Sequence, residues 1–249
     1  MKFRCRMVDV IAMRDLTNVV NIICRMSKQC TLRITPDDLC FSVGDDRVPM
    51  VWAELSQSHF FTEYSMAGVT EEQNEIYLEL DANMLARSLG ALRSTAKSVK
   101  IKLTNKRQPC LTMEIELPSL SIESRQCLHD VPVRVIPRRE WPEHQAPNIP
   151  EFDVRIMFIS SVSNYMFKLN VATVSTHFQD LQVWGCSQKD NDDKISATVD
   201  IKKFFMFLAW DILHPDGVKC NILDDRMVNL YLHLADYLKI QYFIPSIAT

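Results

Sequence analysis

Glycine is scarce. The 249 residues hold five, Gly44, Gly68, Gly90, Gly185 and Gly217. No two are close enough to build a GxGxxG turn or a phosphate loop, which excludes enzymes that cradle a nucleotide on glycine-rich backbone. Long apolar runs are missing as well: the longest stretch free of Asp, Glu, Lys and Arg is 156–167, short of the ~20 residues a membrane-spanning helix needs. Residues 1–7 alternate cations with apolar side chains and have no apolar h-region, the pattern of a strand rather than of a signal peptide. Paired cysteines are absent too. The eight, at 5, 24, 30, 40, 110, 127, 186 and 220, form no CxxC. They read as free thiols in a reducing compartment, not as zinc ligands, so neither a metal nor a cofactor is expected. Finally, positive charge is not in excess. Lys+Arg is 28 and Asp+Glu 31, net −3, so any nucleic-acid contact must come from a local basic face.

What is present is a globular composition, 47% hydrophobic and 24% charged, and an internal repeat. Residues 75–81 read as a strand with Ile76, Leu78 and Leu80 on one face and Asp81 suited to cap a helix. Residues 194–200 carry the same pattern 119 positions later, ending on Asp200. The offset holds without a gap: Leu85 and Leu89 fall on Phe204 and Leu208, Val99 and Leu103 on Val218 and Ile222, and Leu111, Met113 and Ile115 on Leu230, Leu232 and Leu234. Strand, helix, strand, turn, strand therefore occurs twice. Opening strands are expected at 3–7 and 153–159, with further strands near 31–34, 39–43, 48–55, 64–69 and 165–171. Five prolines between Val131 and Asp153 read as an extended connector. The domains are then 1–131, a connector 132–152, and 153–249. The second half is shorter: Phe3 to Glu75 is 72 positions and Val154 to Lys194 is 40. The deficit of about 32 is one helix and one strand.

Helices are expected over 12–28, 81–95 and 201–213. The first has an apolar stripe of Leu16, Val19, Val20, Ile23 and Met26, and an opposite line of Arg14, Asn18, Asn21, Arg25 and Lys28. The second buries Met84, Leu85, Leu89 and Leu92 and offers Arg87, Arg93 and then Lys97. The third buries Ile201, Phe204, Phe205, Leu208 and Ile212 and offers Lys202 and Lys203. Three helices with outward cations in a −3 chain point to a phosphate-facing surface. A second cation run, Lys97 to Arg107, lies partly on a strand and turns elsewhere. Catalytic groupings are poor. His177 with Asp180 is the pair that would serve a small α/β hydrolase, the alternative from another class; a scaffold that binds only proteins is a third. Asp37-Asp38, Asp45-Asp46, Asp192-Asp193 and Asp224-Asp225 lie between expected strands, where Asp is a turn residue.

Eight blocks carry a resemblance: Met1-Lys2-Phe3-Arg4, Cys30-Thr31-Leu32-Arg33-Ile34, 74–80, 100–106, His129-Asp130-Val131-Pro132-Val133, Val135-Ile136-Pro137-Arg138, Thr176-His177-Phe178-Gln179-Asp180-Leu181 and Gln241-Tyr242-Phe243-Ile244-Pro245. In this order they resemble the Hus subunits of the Rad–Hus–Rad, or nine-one-one, checkpoint sliding clamp. The resemblance implies an α+β, two-domain clamp of the proliferating-cell nuclear antigen type, with helices lining a channel, antiparallel sheets outside, and here a truncated second domain. It implies no catalysis, no cofactor, and a heterotrimer with two Rad-type subunits that an ATP-dependent loader places on double-stranded DNA at recessed junctions. The ring would serve checkpoint, repair and meiotic proteins in the nucleus, with a cytoplasmic pool. On that reading Arg14, Arg25, Lys28, Arg87, Arg93, Lys97, Lys202 and Lys203 face DNA. The strand 110–117, with Cys110, Leu111, Thr112, Met113, Glu114 and Ile115, is the edge that closes the ring, and Trp141 anchors clients in an apolar hollow beside the connector.

Overall fold

The period-2 burial written into the N-terminus is realised. In strand β1 (Lys2–Met7) Phe3, Cys5 and Met7 are buried while Lys2 and Arg4 are exposed. β1 belongs to the first of two compact units, Met1–Pro147 and Asn148–Thr249, into which a computed structural model of the chain divides. The structure describes residues 1–45, 48–93, 96–118, 125–158, 182–184 and 197–247.

In unit 1 the strands run antiparallel in the order β5 (Glu63–Ala67), β1, β7 (Ser98–Asn105), β8 (Pro109–Leu117), β9 (Arg125–Val135). β9 then changes partner. Residues 125–132 pair with β8, and 133–135 pair with β6 (Ile76–Asp81), from which the ladder continues through β2 (Gln29–Ile34), β3 (Asp38–Asp45) and β4 (Val48–Ser56). Pro132 sits at the switch, where its missing N–H costs least. Helix α1 (Val10–Met26) begins where Asp9 accepts a 2.8 Å bond from Ala12 N. It packs beside α3 (Ala82–Leu89), itself capped by Asp81 accepting from Asn83 N and Met84 N. A one-turn helix α2 (Gln57–Phe60) precedes β5.

Unit 2 repeats the order: β11 (Gln182–Trp184), β10 (Val154–Phe158), β12 (Gly217–Leu223), β13 (Met227–Leu234), β14 (Leu238–Pro245). The 119-residue offset is kept, since Asp200 caps α4 (Ile201–Phe207) through Lys202 N as Asp81 caps α3. Trp210 is fully buried, and Phe207 meets Tyr242 edge-on at 5.5 Å. Val228, Leu230, Leu232 and Leu234 fill the core side of β13.

Several expectations are corrected. Val131 to Asp153 is not extended throughout: its start completes β9 and Arg138–His144 forms a 3-10 helix with Pro137 before it and Pro142 inside it, because Pro132 at a strand switch and Pro137 at a helix start fit both elements. The second and third helices stop early and finish as 3-10 turns, Gly90–Arg93 and Leu208–Leu213. Met84, Ile201, Phe205 and Ile212, expected inside, are exposed. The strand expected at 194–200 amounts, over its described residues, to a lone Val199–Ser246 bridge. The strand expected at 165–171 lies outside the described residues. Asp37 and Asp224-Asp225 lie in turns or bends as expected, Asp225 holding φ 49°, whereas Asp38, whose N–H donates to Thr35 Oγ1, already opens β3. Cys5, Cys24, Cys30, Cys40, Cys110, Cys127 and Cys220 are free thiols, and burial pushes Cys30 and Cys220 up to about 12, out of reactive range.

Candidate nucleic-acid interface

The basic helix line divides in two. Arg14, Arg25 and Lys28 are exposed, but Asn18 is buried and Asn21 half-buried between them. Arg14 Nε lies 3.3 Å from Asp15, whose side chain is almost fully covered. Burial raises the Asp15 carboxyl above its usual range against the pull of Arg14, and Arg14 is partly neutralised. Arg25 ends α1, where a cation suits the helix dipole. Arg87 is exposed on α3. Among the described residues Arg25, Lys28, Arg87 and Lys97 make no ion pair. The Arg93 side chain lies outside the described residues. In unit 2 Lys202 is exposed and Lys203 half-buried, with its carbonyl accepting a 2.6 Å bond from Tyr242 OH.

The run Lys97 to Arg107 behaves differently. Lys102 Nζ bonds Glu114 at 2.9 Å on β8, and Lys106 grips Asp130 on β9. Lys106, with the Thr112 hydroxyl, holds the Asp130 carboxyl below its usual value. These cations serve the sheet, not a helix face.

The expected edge is corrected. Cys110, Leu111, Thr112, Met113, Glu114 and Ile115 lie on β8, an interior strand with β7 on one side and β9 on the other, so its backbone groups are used. The open ladder belongs to β9. Over 125–130 it has β8 on one side and no partner on the other among the described residues, and it carries Leu128 at 60% exposure. β9 was hidden because its alternation fades into the proline-rich span.

Trp141 is not a free anchor. It is buried at 7%, donates to Ile136 O at 3.1 Å, and packs on Tyr77 at 4.8 Å. Tyr77 OH and Arg33 both bond Glu75 (2.7 Å each), lowering its carboxyl, while burial lifts the Tyr77 hydroxyl to about 12. The cleft beside Trp141, about 360 Å³, is mixed rather than an apolar hollow: Pro36 and Trp141 line it together with Gln145 and the polar run Glu71, Glu72, Gln73, Asn74 and Glu75. His177 and Asp180 lie outside the described residues. No group of His, Cys, Asp and Glu placed to hold a metal occurs among the described residues.

The architecture is that of a DNA sliding clamp. Crystal structures of the proliferating cellular nuclear antigen from Entamoeba histolytica (TM-score 0.63, 10% identity, 99% of each chain) and from Thermococcus kodakaraensis (0.65, 12%, 98% of this chain and 99% of the other) share it. At the level of sequence, the model of the family described as Hus1-like protein matches residues 1–170 and 163–248. Human checkpoint protein HUS1 is 37% identical over 283 aligned residues, covering the whole of both chains, and Drosophila melanogaster checkpoint protein Hus1-like is 25% identical over 278, covering 99% of each. The chain belongs to the Hus1-like family of checkpoint clamp proteins.

Proposed function

We propose that this chain is the non-catalytic Hus-type subunit of a heterotrimeric ring, with two Rad-type partners, that an ATP-dependent loader closes around double-stranded DNA for checkpoint and repair proteins to use. The carrying observation is the α1–α3 pair, which presents Arg25 and Arg87 exposed and, among the described residues, without an acid partner on a clamp fold. A sliding ring needs weak phosphate contacts and no base readout, and such cations supply them. Lys28, Lys97 and, in unit 2, Lys202 add to the set, with Arg14 weakened by Asp15. Ring closure uses the open side of β9, whose unpaired N–H and C=O groups suit strand addition. The site of action is the nucleus, with a cytoplasmic pool, and the chain has no turnover of its own.

The family match in two pieces meeting at 163–170, and 283 aligned positions against 249 residues, support a second domain short of one helix and one strand.

The test is DNA retention by the assembled trimer across a salt series. Arg25→Glu/Lys28→Glu lowers retention on every sequence alike and reduces the salt slope by ~1 for each phosphate no longer neutralised. Sequence-selective weakening overturns the reading, as does tight DNA binding by the lone chain. For closure, Leu128→Asp abolishes co-purification with the partners while the same change at exposed Val69 does not.

A further inference from the structure

In unit 1 most cations on or beside the sheets meet an acid: Arg4 and Arg6 meet Glu63, Lys102 meets Glu114, Lys106 meets Asp130, and Arg134 bridges Glu79 and Glu140, while Lys2, Lys100 and Arg125 make no ion pair among the described residues. Unit 2 is built otherwise. Strands β10, β12, β13 and β14 contain no Asp or Glu at all. Their side away from the core carries Arg155, Lys219, Lys239 and His233, and among the described residues none of these makes an ion pair. Register places them on one surface. Arg155 is opposite Asn221, Asn221 opposite Asn229, Lys219 opposite Tyr231, and His233 opposite Lys239. Arg155 and Lys239 are exposed and Lys219 and His233 half-buried, while Asn221 and Asn229 are buried and bonded to each other, so the accessible part of the surface is the Lys219, His233 and Lys239 side with Arg155 at its corner. Among the described residues of this unit, Asp153 accepts from Asp224 N and Asp216 from Ala235 N at strand ends and turns.

We propose that this outer sheet face of unit 2 docks an acidic peptide segment of a partner protein, its carboxylates set against Arg155, Lys219 and Lys239. Two observations choose this occupant. Tyr231 is engaged by the Lys219 ammonium, 5.6 Å from its centroid, and by the His233 ring stacked at 5.9 Å, so the ring fixes a cation and is no open platform for a nucleic-acid base. The cations also lie apart. From β10 to β14 is three strand spacings, about 14 Å, with Lys219 between. Separate carboxylates on an extended peptide, repeating about every 6.8 Å on one side, match that spread, whereas a single phosphate requires convergent donors. The face is independent of the DNA reading.

The test uses the full chain at low salt and a labelled twelve-residue peptide of alternating Glu and Ser. Arg155→Glu/Lys219→Glu/Lys239→Glu weakens binding about tenfold or more, while Arg25→Glu/Lys28→Glu leaves it unchanged. The neutral variant Arg155→Gln/Lys219→Met/Lys239→Gln, with a wild-type melting curve, reproduces the weakening if the charge reversal fails to fold. The proposal is overturned if a Gln-for-Glu peptide binds equally, if either set of unit 2 variants binds normally when folded, or if oligo-dT or a singly phosphorylated peptide displaces the acidic peptide at lower concentration through these same residues.

Discussion

Helices α3 and α4 occupy the same place in the two repeats, yet their surroundings differ. α3 has α1 beside it, and Ala82, at its first position, is wholly buried. Its counterpart 119 residues on, Ile201, is 37% exposed, with Phe205 at 51% and Ile212 at 55%. No described helix stands beside α4. A bulky apolar side chain is thus left in water where its equivalent, an alanine, is covered. The difference shows that a repeat of strand order does not carry a repeat of packing: the helix pair, not the sheet, closes the core of unit 1.

The largest expected effect follows from this contrast. Hydrogen exchange on the isolated chain shows strong protection in residues 1–135 and weak protection in 153–247, because uncovering a large apolar side chain forgoes roughly 1.5–3 kcal/mol of a net domain stability of about 5–15 kcal/mol. Equal, strong protection would mean that unit 2 has closed its core by other means. In the same sense, Ile23→Ala in α1 costs about 2–5 kcal/mol of unit 1 stability in denaturant titrations. Phe205→Ser changes stability by no more than about 0.5 kcal/mol and lowers light scattering at high concentration. A large destabilisation by Phe205→Ser would show that α4 is covered in solution.

A smaller effect tests the polar side of unit 1. Glu75, held by Arg33 and Tyr77, titrates below its usual value. Its contribution is therefore complete above the unfolded carboxyl's pKa and is lost as pH falls through the lower folded one. Glu75→Gln costs about 1–3 kcal/mol at pH 7, and the gap from wild type narrows in acid melts. Asp15 has the opposite sign: its folded carboxyl is raised by burial, so its charge opposes folding at neutral pH and Asp15→Asn raises the melting temperature there, with the gain fading in acid. The smallest effect belongs to the exposed Lys106–Asp130 pair, where Lys106→Ala costs roughly 0.2–1 kcal/mol, measurable by double-mutant cycle.

Much of the fold was legible because its signals are local. Alternation in 3–7 and 76–80, capping by Asp81 and Asp200, and the constant offset between helices and hairpins each depend on a few neighbouring residues and a fixed period. The site was legible in part. Arg25, Arg87 and Lys202 are exposed as their helical phase requires, and Lys28 is exposed just past the end of α1. Asn18 and Asn21, on the same phase, are buried and half-buried by tertiary packing that phase does not encode, and Arg14 has an acid beside it.

By itself, then, the sequence determined what short-range periodicity, capping and family blocks can carry: two repeats, their strand order, the exposed helix cations and membership of a checkpoint clamp family. Only the tertiary structure decided which strand is an edge, since that depends on who pairs beside β8 and β9. It likewise decided that Trp141 is held on Tyr77, and that the acid-free strands of unit 2 bring Arg155, Lys219 and Lys239 to one face. The physical reason is the same in each case: pairing, burial and the sharing of charge are set by partners distant in the chain, and a residue's own neighbours in sequence say little about them.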